Sequence, residues 1–128
     1  MGKLVLVVDD EALTRQMIVM FLKMAGYETV EAEDGVDALK QVDLHQPDAL
    51  ILDVMMPEMD GITMCKKLRA NPVTAAIPVL MLSGRSQVGA EEEGLAAGAN
   101  AYMKKPMDHK EMLQLLSEMI MQSATVSA

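Results

Sequence analysis

Six residues of this 128-residue chain have the types and spacing to do chemistry together: Asp9, Asp10, Asp53, Ser83, Lys104 and Lys105. They come at the ends of short apolar runs, after LVLVV (4–8), ALIL (49–52) and PVLML (78–82), and at the close of the more mixed NAYMK (100–104). An acid that ends a buried run is costly unless it has a partner. Asp53 is therefore either a turn residue that happens to follow a strand or an acid placed for a purpose. If the runs are parallel strands, all six residues gather at one end of a sheet. Close carboxylates raise one another's pKa unless a cation intervenes. Hard oxygen ligands with no His or Cys nearby favour Mg²⁺, which takes one or two carboxylates and keeps several waters. A metal beside a carboxylate and a lysine is equipment for phosphoryl transfer, in which an Asp can be the nucleophile.

The elements that must position these residues are legible as an alternation. LVLVV, ALIL and PVLML read as strands covered on both faces, and ETVEA (28–32) and NAYMK as edge strands. Helical spacing fills the intervals: Leu13, Met17, Met20, Phe21 and Met24; Val36 and Leu39; Ile62, Cys65 and Leu68; and Met112, Leu116, Met119 and Ile120. Gly26 closes the first helix, Asn71-Pro72 stops the third, and Ser86 and Gly98 bracket the fourth. Gly89 and Gly94 fall inside that fourth helix, which makes it a loosely held element. Five βα units in series predict an α/β fold, a five-stranded parallel sheet doubly wound in the order 2-1-3-4-5, the flavodoxin-like arrangement. Ligands bind such sheets at the carboxyl ends of the strands.

Bulk properties bound the function. One domain over residues 1–122 is expected, with 123–128 as a tail or the start of a linker. The net charge of −8 argues against a broad basic surface for nucleic acid, so a protein or a small ion is the expected partner. No apolar run approaches the ~18 residues of a membrane span, and the start carries no signal or myristoylation pattern. Cys65 has no second cysteine, which suits a reducing, cytoplasmic setting.

Four motifs, in this order and spacing, carry a resemblance: VLVVDDE (5–11), LILDVMMPEMDG (50–61), VLMLSG (79–84) and AGANAYMKKP (97–106). Together they resemble a bacterial two-component response-regulator receiver domain over nearly the whole chain. The resemblance implies a signalling domain rather than an enzyme acting on other substrates. Asp53 would accept a phosphoryl group from a sensor histidine kinase or a phosphotransfer protein. Asp10 would bind Mg²⁺ directly, with Mn²⁺ as a substitute, Asp9 partly through water, and the backbone carbonyl of Met55 would complete the site. Ser83 would meet a phosphoryl oxygen, and Lys105, directly before Pro106, would pair with the phosphoryl charge in preference to Lys104. The Lys105-Pro106 bond would be cis. Tyr102 would be the switch aromatic, turning inward as phosphorylation draws Ser83 away, and the face of helix four, strand five and helix five would change. That face would engage an unnamed protein target or a second phosphorylated copy. Met55 and Arg85 fall where the family tunes dephosphorylation, and an apolar Met55 implies slow hydrolysis. Met107 departs from the Phe that many members carry.

Blander readings compete. Asp9 and Asp10 could belong to the N-terminal cap of the first helix. The fourteen Met residues are expected mostly in the core, because one Phe, two Tyr and no Trp leave an interior to fill. His45 and His109 read as solvated, and Lys66, Lys67 and Arg69 as a solvated face. Two other functions would use an acid or a fold of this kind. A haloacid-dehalogenase-type phosphatase needs a second Asp two residues after the nucleophile, where this chain has Met55. A flavodoxin-like electron carrier needs a Ser/Thr/Gly-rich loop after strand one, where this chain has DDEALT. A phosphorelay intermediate, or a receiver module of a larger regulator or hybrid kinase, keeps the same chemistry.

Overall fold

A computed structural model describes residues 2–56, 59–84, 89–105 and 107–127, with side chains described as far as Ser123. Strands β1 (Leu4–Val8), β2 (Glu28–Ala32), β3 (Ala49–Asp53), β4 (Val79–Ser83) and β5 (Ala101–Lys104) alternate with helices α1 (Ala12–Met24), α2 (Gly35–His45), α3 (Gly61–Ala70), α4 (Ala90–Ala96) and α5 (His109–Ser127). The sheet is parallel throughout, in the expected order β2-β1-β3-β4-β5. Helix α5 continues to Ser127, through the segment expected to be a tail.

The period-2 alternation of the strands divides the interior in two. Leu6, Val8, Leu50, Leu52 and Met81 face one core, with residues of α2, α3 and α4. Val5, Val7, Ile51, Leu80 and Leu82 face the other, with residues of α1 and α5. Every residue of β3 and β4 is buried, which is why those runs are apolar without interruption. No helix among the described residues is long and apolar enough to cross a membrane.

Helix ends follow the sequence. In α1, Gly26 (φ 95°) leaves the helix while its N–H reaches the Lys23 carbonyl and that of Tyr27 reaches Leu22, the paired bonds of a Schellman motif. Gly98 (φ 111°) ends α4 in the same way, with Gly98 N–H on Leu95 and Ala99 N–H on Gly94. Ser86 lies outside the described residues. Helix α4 starts later than expected, with Gly89 as its N-cap rather than an interior residue, and only Gly94 of the two glycines is helical.

Helix α1 corrects the expected apolar face. Its buried residues are Ile18, Val19 and Leu22. Leu13 (78% exposed), Met17, Met20 and Met24 (77%) instead form a stripe open to solvent, and Phe21 is half-buried. The helix is apolar on most of its circumference, so periodicity reveals a helix but not which side packs. Methionines correct likewise: Met64, Met81, Met103, Met112 and Met119 are buried, whereas Met17, Met20, Met24, Met55 and Met121 are exposed. His109 is not solvated but stacks on Phe21, with ring centroids 4.3 Å apart.

Arg69 is not part of a solvated face either, although Lys66 and Lys67 are exposed. Its guanidinium donates to the carbonyls of Gly98 (2.9 and 2.7 Å), Ala75 (3.2 Å) and Ile77 (2.8 Å) and to Asn100 Oδ1 (2.9 Å). One side chain at the end of α3 thereby ties the turn before β4 to the turn before β5. Asn100 Oδ1 also accepts from Val79 N–H at 2.9 Å, closing the same junction. This is the amino end of the sheet, opposite the acids.

Candidate phosphoacceptor and metal site

The acids and the hydroxyl stand at the carboxyl ends of three adjacent strands. Asp53 and Ser83 are the last paired residues of β3 and β4 rather than residues beyond them, opposite Leu82 and Lys104 respectively. Continued pairing explains the extra residue: Val54 N–H still bonds the Leu82 carbonyl at 2.9 Å. Asp9, Asp53 and Ser83 are buried, at 1%, 5% and 1% exposure, while Asp10 is exposed. The loop after Asp53 folds back closely. Gly61 N–H bonds the Val54 carbonyl at 2.9 Å, and a Cβ at Gly61 would collide with the Asp53 carbonyl, so the close approach requires glycine. Asp60 then caps α3, its Oδ1 accepting from Thr63 N–H at 2.7 Å.

Lys105 connects two of the acids. Its Nζ lies 2.9 Å from Asp9 Oδ2 and 3.3 Å from Asp53 Oδ1, and its own N–H bonds the Ser83 carbonyl at 2.7 Å. Lys104 is paired in β5 with an exposed side chain. Asp9 Oδ1 also accepts from Glu11 N–H at 2.9 Å, so this acid does support the start of α1 while facing the lysine. One ammonium does not satisfy the cluster. Burial and the neighbouring Asp9 carboxylate push Asp53 up to about 6, with Lys105 opposing and Asp10 adding to the rise. Burial works against the Lys105 charge, but Asp9 and Asp53 outweigh it and the ammonium is held above its ordinary pKa.

One oxygen from each of Asp9, Asp10 and Asp53 lies within 4.8 Å of the others. Three such hard donors around one point, under-neutralised by a single lysine, fit a divalent cation of the Mg²⁺ class. Met55 follows two residues after Asp53 with its side chain 62% exposed. Tyr102, opposite Met81 in β5, has its hydroxyl hydrogen-bonded to Ser83 Oγ. In this structure the ring already reaches the serine. Gly94 of α4 lies over the same ring, 3.5 Å from Cδ2 as measured from a Cβ position. Arg85 and the Lys105-Pro106 bond lie outside the described residues.

Sequence reasoning missed two residues beside the site. Arg15 of α1 donates from Nη1 to the Asp9 carbonyl at 2.7 Å and pairs through Nε with Glu31 of β2 at 3.0 Å. The only signal was an Arg six residues after the first acid.

Residues 5–117 match the response regulator receiver domain. The chain belongs to that family. The DNA-binding dual master transcriptional regulator RpaA of Synechocystis is 39% identical over 109 residues, 85% of this chain and 45% of its own length. The phosphate regulon transcriptional regulatory protein PhoB of Pseudomonas aeruginosa is 37% identical over 119 residues, 93% of this chain and 52% of its own. The receiver thus spans about half the length of these relatives. Among solved structures, a response regulator from Chloroflexus aurantiacus superimposes with a TM-score of 0.90 at 38% identity, covering 94% of this chain and 98% of the other. The receiver domain of a Pseudomonas aeruginosa sensor histidine kinase, with a magnesium ion coordinated in its active-site cleft, gives a TM-score of 0.86 at 28% identity over 94% and 98% of the two chains.

Proposed function

We propose that this receiver is a phosphorylation-controlled switch of protein interactions, with Asp53 as phosphoacceptor. The observation that carries the reading is the buried Asp53 carboxylate at a strand end, 3.3 Å from Lys105 and clustered with Asp9 and Asp10. An Asp53 oxygen attacks phosphorus, and the bond from phosphorus to the donor, a histidine nitrogen of a sensor kinase or phosphotransfer protein, breaks with its electron pair leaving on the donor. With an ordinary carboxylate range raised only to about 6, Asp53 is ionised for attack near neutral pH. Asp10 and Asp53 would hold Mg²⁺ directly and Asp9 partly through water, with the Met55 backbone carbonyl completing the protein's share. A bound Mg²⁺ would supply positive charge to offset that of the transferring phosphoryl oxygens. Lys105, 3.3 Å from Asp53 Oδ1, supplies further positive charge.

Ser83 carries the signal outward. Its Oγ donates to a phosphoryl oxygen while its link to the Tyr102 hydroxyl couples the phosphoryl to β5, and Gly94 lets α4 lie close enough to register the ring. The output is a changed face of α4, β5 and α5, read by a protein target or a second copy. Met55 offers no proton-transfer group to orient an attacking water, so the acyl phosphate is long-lived. The chain performs chemistry only on itself and works in the cytoplasm.

Incubating the protein with Mg²⁺ and a small phosphodonor, then recording intact mass, tests the reading. One phosphoryl group on the parent protein, absent after chelation and absent from Asp53→Asn, supports it; equal labelling of Asp53→Asn refutes it. A second reading, a receiver governing a DNA-binding output in a longer protein, is favoured by the relatives of roughly twice this length. The size of the native protein on an immunoblot decides between them.

A further inference from the structure

The carbonyl that Arg15 grips belongs to the peptide joining Asp9 to Asp10. Its orientation sets the direction in which both carboxylates leave the backbone. Three contacts hold Asp9 and the peptide that follows it: Arg15 Nη1 on the Asp9 carbonyl at 2.7 Å, Asp9 N–H on the Ala32 carbonyl at 3.2 Å, and Glu11 N–H on Asp9 Oδ1 at 2.9 Å. The guanidinium is itself fixed, because Nε meets Glu31 Oε1 at 3.0 Å and the Arg15 side chain is only 16% exposed. Glu31 sits on β2 beside Val7, so the anchor is a neighbouring strand rather than a loop. We propose that Arg15, braced by Glu31, is a positioning residue that fixes the Asp9–Asp10 peptide and so presets both carboxylates for a divalent cation. Outer groups of this kind typically change metal affinity by roughly 10- to 100-fold when removed.

This inference rests on the magnesium reading of the cluster, and electrostatics alone predicts the opposite sign. Removing Arg15 takes a positive charge from beside three carboxylates, and a more negative site attracts a cation more strongly. Positioning predicts weaker binding in spite of that gain.

The test is a Mg²⁺ titration of the intact chain, followed by amide shifts at the ends of β1 and β3, for the parent, Arg15→Met and Arg15→Lys. Arg15→Met should bind Mg²⁺ about tenfold more weakly. Arg15→Lys keeps the charge but has no planar fork to span the carbonyl and Glu31, and should bind a few-fold more weakly. In the Mg²⁺-free protein the Asp10 amide should exchange faster in both variants. Equal or tighter binding by Arg15→Met overturns the inference, and if that variant does not fold, equal binding by Arg15→Lys does so. Absence of saturable Mg²⁺ binding at these amides in the parent would instead overturn the magnesium reading itself.

Discussion

The two ends of the sheet treat charge in opposite ways. At the amino end, the Arg69 guanidinium is surrounded by carbonyl oxygens of Gly98, Ala75 and Ile77 and by Asn100, every bond within hydrogen-bonding range. At the carboxyl end, Asp9 and Asp53 share one lysine with Asp10 close by, and Asp53 is left at about 6. The first arrangement is saturated and closes a junction between two turns. The second is held short of neutrality by burial and topology, the condition in which a site gains most from a cation. Stability and reactivity are thus built from the same materials at opposite ends of five strands.

Removing a charge should therefore have opposite consequences at the two ends. The largest effect is expected at Arg69: Arg69→Met leaves several carbonyls without a charged donor and should lower stability by about 3 kcal/mol in urea unfolding. Stability unchanged in that variant would end the contrast. Asp53→Asn should do the reverse without Mg²⁺, stabilising the protein by roughly 2 kcal/mol at pH 7. The sign follows from the folded-state pKa of about 6 against an ordinary 3.8. Between these values the folded state binds more protons than the unfolded, so the Asp53 penalty grows as pH rises from about 4 to 6. The advantage of Asp53→Asn should accordingly be full above pH 6, vanish below about pH 4, and shrink when Mg²⁺ saturates the parent protein. Unfolding midpoints of the two proteins across that range, with and without Mg²⁺, check each part.

Smaller effects sharpen the picture between the ends. At Gly94 a Cβ would sit 2.5 Å from Met81 Sδ and against the Tyr102 ring. Gly94→Ala gains helix propensity of about 1 kcal/mol and loses a similar amount to crowding. Stability should then change little, while the Tyr102 ring resonances shift as α4 lifts from the sheet. An unmoved ring would detach α4 from the switch. The smallest effect is expected on α1, where Met20→Gln should change stability by less than about 0.5 kcal/mol because Met20 is 51% exposed.

These cases also mark what the sequence could disclose. Strand order and the gathering of Asp9, Asp10, Asp53, Ser83 and Lys105 were legible, because parallel strands bring every residue at a strand end to the same edge. The buried side of α1 was not, since Leu13, Met17, Met20 and Met24 are as apolar as Ile18, Val19 and Leu22, and only the neighbouring sheet chooses between them. Arg69 was misread because its partners lie up to 31 positions away. Arg15 was missed because its acceptor is a backbone carbonyl, and every residue has one. The bond between Ser83 and Tyr102 depends on β4 and β5 being neighbours and on how far a ring reaches across them.

The central claim is that Asp53, rather than any other acid at this edge, takes the phosphoryl group. Protein labelled with a phosphodonor in Mg²⁺ and then reduced with borohydride would carry homoserine wherever an aspartyl phosphate had formed, and peptide mass mapping would locate it. Homoserine at position 53 alone is the predicted result. Homoserine at 9 or 10, or label retained on a side chain that borohydride does not reduce, would contradict it.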